Sequence, residues 1–254
     1  MFLKFQKKKL IKMKWILNKW NSYKYRFKPW ILIKLPNVKP DQKLLNKEGK
    51  ANLELLDKFI EVLSNHELYS ETSFKLKLKK SNILEAGLGV FIAHGHVKKG
   101  DIVALYPGTV YMPFDSKFFQ SLKNSFMFQC HDHVCIDGKN TGISKSIYKS
   151  CGHRDTLGPY KFCDFSWLNP KSPKCFNLNV GQFVNNRNKV FEQNVEYQEL
   201  DVPNNILPLK LRRNFPNVNY NNIGKSSTRT VVLIATKEIL KGEELFSNYF
   251  TVVR

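Results

Sequence analysis

No aspartate or glutamate occurs before Asp41, while the same forty residues hold eleven lysines and Arg26. This stretch therefore carries +12 of the formal net charge of +20, and the remainder is only mildly basic. Such an arm suits a nucleic acid, an anionic membrane surface, an acidic partner or an organelle address; a solvated tail has the same composition. Also missing is any run of roughly 18 consecutive apolar residues, so no segment reads as a transmembrane helix and a soluble protein is expected. Lysines interrupt the apolar stretch near the N-terminus, which excludes a secretory signal. The scarcity of Arg and Ser argues against a mitochondrial address, although the absence of acids is compatible with one. An intracellular protein follows, of the nucleus or cytoplasm, with the mitochondrion as the alternative.

CxxC pairs are absent as well. The cysteines number five, Cys130, Cys135, Cys151, Cys163 and Cys175. An odd, unpaired set without a secretory signal reads as reduced thiols. The cluster from Cys130 through His131 and His133 to Cys135 matches no zinc spacing, so a polar hairpin tip is expected there and no metal. A third absence is the last glycine of a dinucleotide fingerprint. Ala86-Gly-Leu-Gly-Val-Phe-Ile-Ala93 has Ile92 where that glycine belongs, so a Rossmann reading fails.

The sequence does contain a series of amphipathic patterns. Leu10, Met13, Leu17 and Trp20 form a helical stripe within a basic segment, and Pro29 ends any helix nearby. Residues 36–50 are polar and hold prolines, which suggests a linker. Leu56, Phe59, Ile60 and Leu63 then fall at the spacing of a second amphipathic helix over 51–66. From residue 73 the period changes to two. Phe74, Leu76 and Leu78 alternate with lysines, and further strands are expected at Gly89–Ala93, Ile102–Tyr106, Phe126–Cys130, Val134–Asp137 and Val231–Ala235. The organisation expected is a basic arm (1–40), a linker and helix (41–72), and one mostly β domain (73–250) with an insert near 138–178.

Four segments stand in order: Gly87-Leu-Gly89; Lys99-Gly-Asp-Ile-Val-Ala-Leu-Tyr-Pro-Gly-Thr-Val-Tyr111; Val180-Gly-Gln-Phe-Val-Asn-Asn186 with Asn194 after it; and a last segment containing Ala235, Ile239, Gly242-Glu-Glu-Leu245 and Tyr249. Singly each is weak, since glycines make turns and tyrosines fill cores. Together they resemble the SET-domain methyltransferase family. One branch of that family also pairs a Tyr-Lys-Tyr-Arg-Phe-x-Pro-Trp stretch, here Tyr23–Trp30, with a Tyr-Pro-Gly-Thr-Val-Tyr strand, here 106–111.

The resemblance implies an α+β, mostly β fold, the β-clip of small curved sheets with a C-terminal pseudoknot, preceded by a basic helical N-terminal region. It implies S-adenosyl-methionine as cofactor and transfer of its methyl group to a protein, onto a lysine side chain. Gly87, Leu88 and Gly89 would lie along the cofactor's methionine part. Asn185 and Asn186 would hold the adenine edge through their backbone. Tyr249 would stand beside the sulfonium, and Tyr106 in the same channel. The rival readings are a catalytically weak SET domain that binds a partner through its basic arm, and a nucleic-acid or membrane-surface binder whose fold is incidental.

The chain departs from the family pattern in several places. Asn186 replaces the usual His, Gln182 a common Arg, and Thr109 a common acid. No cysteine follows Cys175, so the zinc-binding tail of many members is lacking. A lid over the site would then have to come from 138–178 or from 203–228, which carries Tyr220.

Overall fold

The structure is a computed structural model of the chain, and it describes residues 53–64, 73–155, 178–208, 211, 215–221 and 226–248. The basic arm, residues 156–177 of the insert and Tyr249 lie outside the described residues. Helix α1 covers 53–64, within the span that the apolar stripe predicts. Its Leu55, Leu56, Phe59 and Leu63 are buried in the main core. Each such side chain contributes about 1.5–3 kcal/mol through removal from water. Lys58 on its outer side donates to the Gly100 carbonyl (3.3 Å).

The rest of the described chain is a set of small sheets. Strands β1 (Phe74–Lys80) and β2 (Leu88–Gly95) form an antiparallel hairpin. Strand β3 (Ile102–Tyr106) leads through Pro107 to β4 (Gly108–Tyr111). Helix α2 (Phe118–Ser121) precedes β5 (Met127–Gln129) and β6 (Cys135–Asp137), and helix α3 spans Gly142–Asp155. After β7 (Asn185–Asn186) come β8 (Val195–Pro203), β9 (Asn217–Asn219), β10 (Ser227–Ala235) and β11 (Phe246–Ser247). The sheets are β1-β2, β3-β10-β8, β11-β7 and β5-β6-β4-β9. None of the described helices is long and apolar enough to cross a membrane.

Burial explains why the elements sit where they do. Strand β3 is buried throughout, as its continuous apolar run requires, and β10 lies between β3 and β8 with Val231, Val232 and Leu233 fully buried. Strand β9 is less obvious from composition. Asn217 and Asn219 are buried, and their side chains bond to Thr230 (2.6 Å) and Thr228 (2.9 Å) of β10. A polar ladder thus substitutes for apolar contact, because each buried amide has a partner. Tyr220 just beyond packs its ring on Tyr111 (centroids 4.9 Å apart), so this part of 203–228 is engaged by β4 and its neighbours.

The Cys130–Cys135 stretch is the hairpin connection between β5 and β6. Cys130 N–H donates to the Val134 carbonyl (2.7 Å), and His133 adopts φ 68° in the turn. Ligand atoms of Cys130, Asp132 and Glu199 come within 4.8 Å of one another. A protein cation already serves this cluster: Arg229 pairs with Asp132, Glu199 and Asp201, each at 2.8 Å. Burial opposes the Arg229 charge, but hydrogen bonds to Asp201 and Asp132 outweigh it and hold the guanidinium firmly protonated. Burial also pushes the Cys130 thiol well up, with Glu199 adding to the shift. A thiol kept protonated is a poor metal ligand.

Candidate cofactor site

The site begins at the turn between β1 and β2. Ser81 N–H donates to the Gly87 carbonyl (2.9 Å) and closes a loop in which Gly87 has φ 79°. A Cβ on Gly87 would meet nothing within 4 Å, so glycine is needed there for backbone conformation and the flank is open. Gly89 is different. A Cβ there would overlap the carboxylate of Glu244, with Asn185 Nδ2 at 3.4 Å. The missing side chain makes room for a group of the protein itself.

Glu244 is only 3% exposed. It accepts from the Ser81 hydroxyl (2.6 Å), from Asn82 N–H (2.8 Å) and from Asn185 Nδ2 (3.3 Å). Ser81 Oγ in turn accepts from Ile83 N–H (3.0 Å). A buried carboxylate is tolerated only when its oxygens are bonded, and here three donors do so. Asn185 Nδ2 also donates to the Leu88 carbonyl (3.0 Å). The Asn185 amide therefore ties Leu88, 97 residues away in sequence, to the carboxylate that holds the Ser81–Asn82 turn.

Residues 243–247 complete the arrangement. They run along the edge of β2 that β1 leaves free: Ile92 N–H donates to Glu243 O (3.0 Å) and Leu245 N–H to Val90 O (2.8 Å). They then pass between the two ends of the 185–194 loop. On one edge β11 pairs in parallel with Asn185 and Asn186, and Arg187 N–H donates to Ser247 O (2.7 Å). On the other, Asn194 N–H donates to Phe246 O (2.9 Å), and Asn194 Oδ1 accepts from Phe246 N–H (2.8 Å). Asn194 Nδ2 also donates to Glu244 O (2.8 Å). Phe191 stacks on Phe246 with centroids 5.0 Å apart. The described part of β11 ends two residues before Tyr249.

Tyr106 closes β3 on a second side. It is 5% exposed, and its hydroxyl donates to the Phe126 carbonyl (2.9 Å). Its ring meets Phe128 (5.2 Å) and Tyr197 (6.2 Å). Phe126 packs on Phe183 (5.8 Å), two residues before Asn185. Two groups of rings, Tyr106–Phe128–Tyr197 and Phe126–Phe183, are thus linked by the hydrogen bond from the Tyr106 hydroxyl to the Phe126 carbonyl. Gln182 is buried among these residues, and neither polar atom of its amide has a partner among the described residues.

The structure therefore bonds Leu88 to Asn185, sets Gly89 against the Glu244 carboxylate that Asn185 also meets, leaves Gly87 and Asn186 adjacent in the chain, and places Tyr106, whose hydroxyl bonds to the Phe126 carbonyl, in an aromatic cluster. Sequence reasoning missed the side chains that do the joining. Glu244 stood inside the most specific motif, but nothing local tells that its carboxylate reaches Ser81. A methionine-and-adenine cofactor fits these residues: Gly87 has open space beside it, Leu88 is exposed, and the fully buried Ser247 hydroxyl, without a partner among the described residues, lies in register with Asn186. A metal has no comparable support, since Arg229 serves the acids around Cys130.

Comparison with known proteins sharpens this. No family model matches the chain. SET domain-containing protein 9 of Homo sapiens is 46% identical over 186 residues, covering 73% of this chain and 61% of the human protein. Its counterpart in Pongo abelii is also 46% identical over 186 residues, covering 73% of this chain and 67% of that protein. The chain belongs to the SET domain-containing protein 9 family. It matches 61% of the length of its human relative in this family. Among solved structures, KRYPTONITE in complex with mCHH DNA, an H3(1-15) peptide and SAH is similar, at 18% identity and a TM-score of 0.37, over 71% of this chain and 24% of that one. The mostly β architecture of small sheets, with a C-terminal strand bonded to both ends of an earlier loop, agrees with membership of the family.

Proposed function

We propose that this SET domain-containing protein 9 relative is an S-adenosyl-methionine-dependent protein methyltransferase whose acceptor is a lysine side chain. The observation that carries the reading is the Asn185 amide, which bonds both the Leu88 carbonyl and the Glu244 carboxylate that lies against Gly89. Two backbone stretches that the family uses for one cofactor are thereby fixed at one place. When bound, the cofactor supplies an electrophilic methyl group on a sulfonium. The chain's own task is alignment and exclusion of water. Holding donor and acceptor in line supplies roughly 7–11 kcal/mol of the barrier reduction. The aromatic cluster of Tyr106, Phe128 and Tyr197, with Tyr106 buried, offers an apolar surface, which favours the neutral amine that must attack. The Phe126 carbonyl, already accepting from Tyr106, orients that tyrosine.

The test is calorimetric titration with S-adenosyl-methionine, followed by transfer of labelled methyl to a protein mixture. Binding without added metal is expected. Tyr249→Phe removes a hydroxyl that the family places at the sulfonium; turnover should fall by roughly 100-fold while affinity changes less. Parental turnover in that variant removes Tyr249 from catalysis. Cofactor binding without transfer to any substrate favours the second reading, a binding module that engages an acidic partner or nucleic acid through residues 1–40. A reporter fused to residues 1–40 separates the nuclear or cytoplasmic compartment from the mitochondrion.

A further inference from the structure

Strand β1 carries a charge pattern that the cofactor site does not use. Lys75, Lys77 and Lys79 are exposed and alternate with Phe74, Leu76 and Leu78, which face the interior. Lys80 follows and is exposed too. Strands β1 and β2 together hold these four lysines and no acid. Among the described residues none of the four forms a salt bridge. Lys79 Nζ lies 5.2 Å from the centre of the Phe91 ring, a cation–π contact that holds one end of the row in place. In the described sheets β1 pairs with β2 alone, and no other described strand covers its outer edge.

We propose that the outer face of β1 binds the phosphate backbone of nucleic acid without regard to sequence. Alternate residues of a strand repeat about every 6.4–6.8 Å. Successive phosphates of one duplex strand rise about 3.4 Å along the axis and wind around it, which leaves them roughly 6–7 Å apart through space, close to this repeat. Three ammonium groups at this repeat can each meet a phosphate. Lysine meets phosphate as a compact point charge, and β1 contains no arginine, so contacts along the row are set by charge and not by paired hydrogen bonds. The row reads no bases, because ammonium groups in a line carry charge and no hydrogen-bond code. Lys79 pairs across the hairpin with Gly89, so a bound polymer would run past the candidate cofactor site.

The inference is independent of methyl transfer. The experiment measures binding of a labelled DNA duplex to the full chain by fluorescence anisotropy over a salt series. The variant Lys75→Gln/Lys77→Gln/Lys79→Gln is compared with Lys98→Gln/Lys99→Gln/Lys237→Gln, which removes the same charge from other exposed positions. Each phosphate contact contributes about 0.9 to the log–log salt slope, so the β1 variant should lose about 2.7 of slope and the comparison variant far less. Should the triple variant fail to fold in a thermal melt, Lys77→Gln alone should lose about 0.9. An unchanged slope, or equal losses in both triple variants, overturns the proposal. An unchanged DNA slope with lost binding to polyglutamate overturns it in favour of an acidic protein. Lysines on an open edge also discourage unwanted strand pairing; aggregation of the β1 variant with an unchanged DNA slope leaves the row that role alone and overturns the proposal likewise.

Discussion

The carboxylate of Glu244 occupies the space that a side chain on Gly89 would need. The two residues are 155 positions apart, yet each limits what the other can be. The same carboxylate holds Ser81, Asn82 and Asn185, so the contact decides how the hairpin turn meets the 185–194 loop.

This relationship predicts a strong coupling. Gly89→Ala should destabilise the protein by about 1–3 kcal/mol through overpacking. Glu244→Ala should cost a similar amount, because the buried Ser81 hydroxyl loses its acceptor, at about 1–3 kcal/mol, while the more exposed Asn82 and Asn185 donors can turn to water. In the double variant the overlap is gone, so the combined loss should fall short of additive by about 0.5–3 kcal/mol. Denaturant melts of the four proteins measure the cycle. Additivity within error would show that Glu244 does not hold the position described. The result also bears on cofactor binding: loss of affinity in a Gly89 variant reports a displaced Glu244 as well as a blocked ligand.

A second prediction concerns pH. Asp137 is 1% exposed, and burial raises its pKa, although Asn124 Nδ2 (2.7 Å) and Lys139 N–H (3.1 Å) donate to it. A carboxyl with a raised folded pKa contributes stability that is fully present below its unfolded value of 3.8 and is lost as pH rises through the folded pKa. Asp137→Asn keeps an acceptor for both donors and carries no charge. The variant should match the parent at the acid end and become the more stable of the two as pH rises toward neutrality. Thermal melts across pH 3–8 check this. A variant less stable than its parent at pH 7 would contradict it.

Arg229 supplies the third prediction. Its charge is what makes the neighbouring Asp132, Glu199 and Asp201 compatible with the buried thiol of Cys130. Arg229→Gln should lower the melting temperature, and added salt should narrow the gap because the acids are partly exposed. A chelator should leave the melting temperature of the parent protein unchanged. A fall on chelation would mean that an ion, and not Arg229, balances the cluster.

Much of the fold was legible because apolar residues had nowhere else to go. The stripe of Leu56, Phe59 and Leu63 could only be a helix packed on a core, and β2, β3 and β10 follow from their buried runs. Helix α3 was missed because its buried residues are few and mixed, Ser144, Tyr148 and Cys151 among lysines and serines. Strand β9 was missed because its asparagines are held by threonines on β10 and not by apolar packing. Strand β8 alternates poorly: Glu199 and Asp201 belong to the Arg229 cluster, a pairing that no local pattern announces. Within the candidate site the glycines and asparagines were legible as motifs. The role of Glu244 was not, because a carboxylate's partners 163 and 59 residues away are set by the folded chain.

The passage of 243–247 along β2 and between the ends of the 185–194 loop also sets a timetable for biosynthesis. Ser81 leaves the ribosome 163 residues before Glu244. At about 5–20 residues per second that is a wait of roughly 10–30 s. During this interval the nascent hairpin has an unpaired β2 edge and a turn without its acceptor, which is the kind of surface that holding chaperones bind. Ribosomes stalled after residue 200 should therefore carry chains whose hairpin is still open to protease, and protection should set in only once residues 243–247 have emerged.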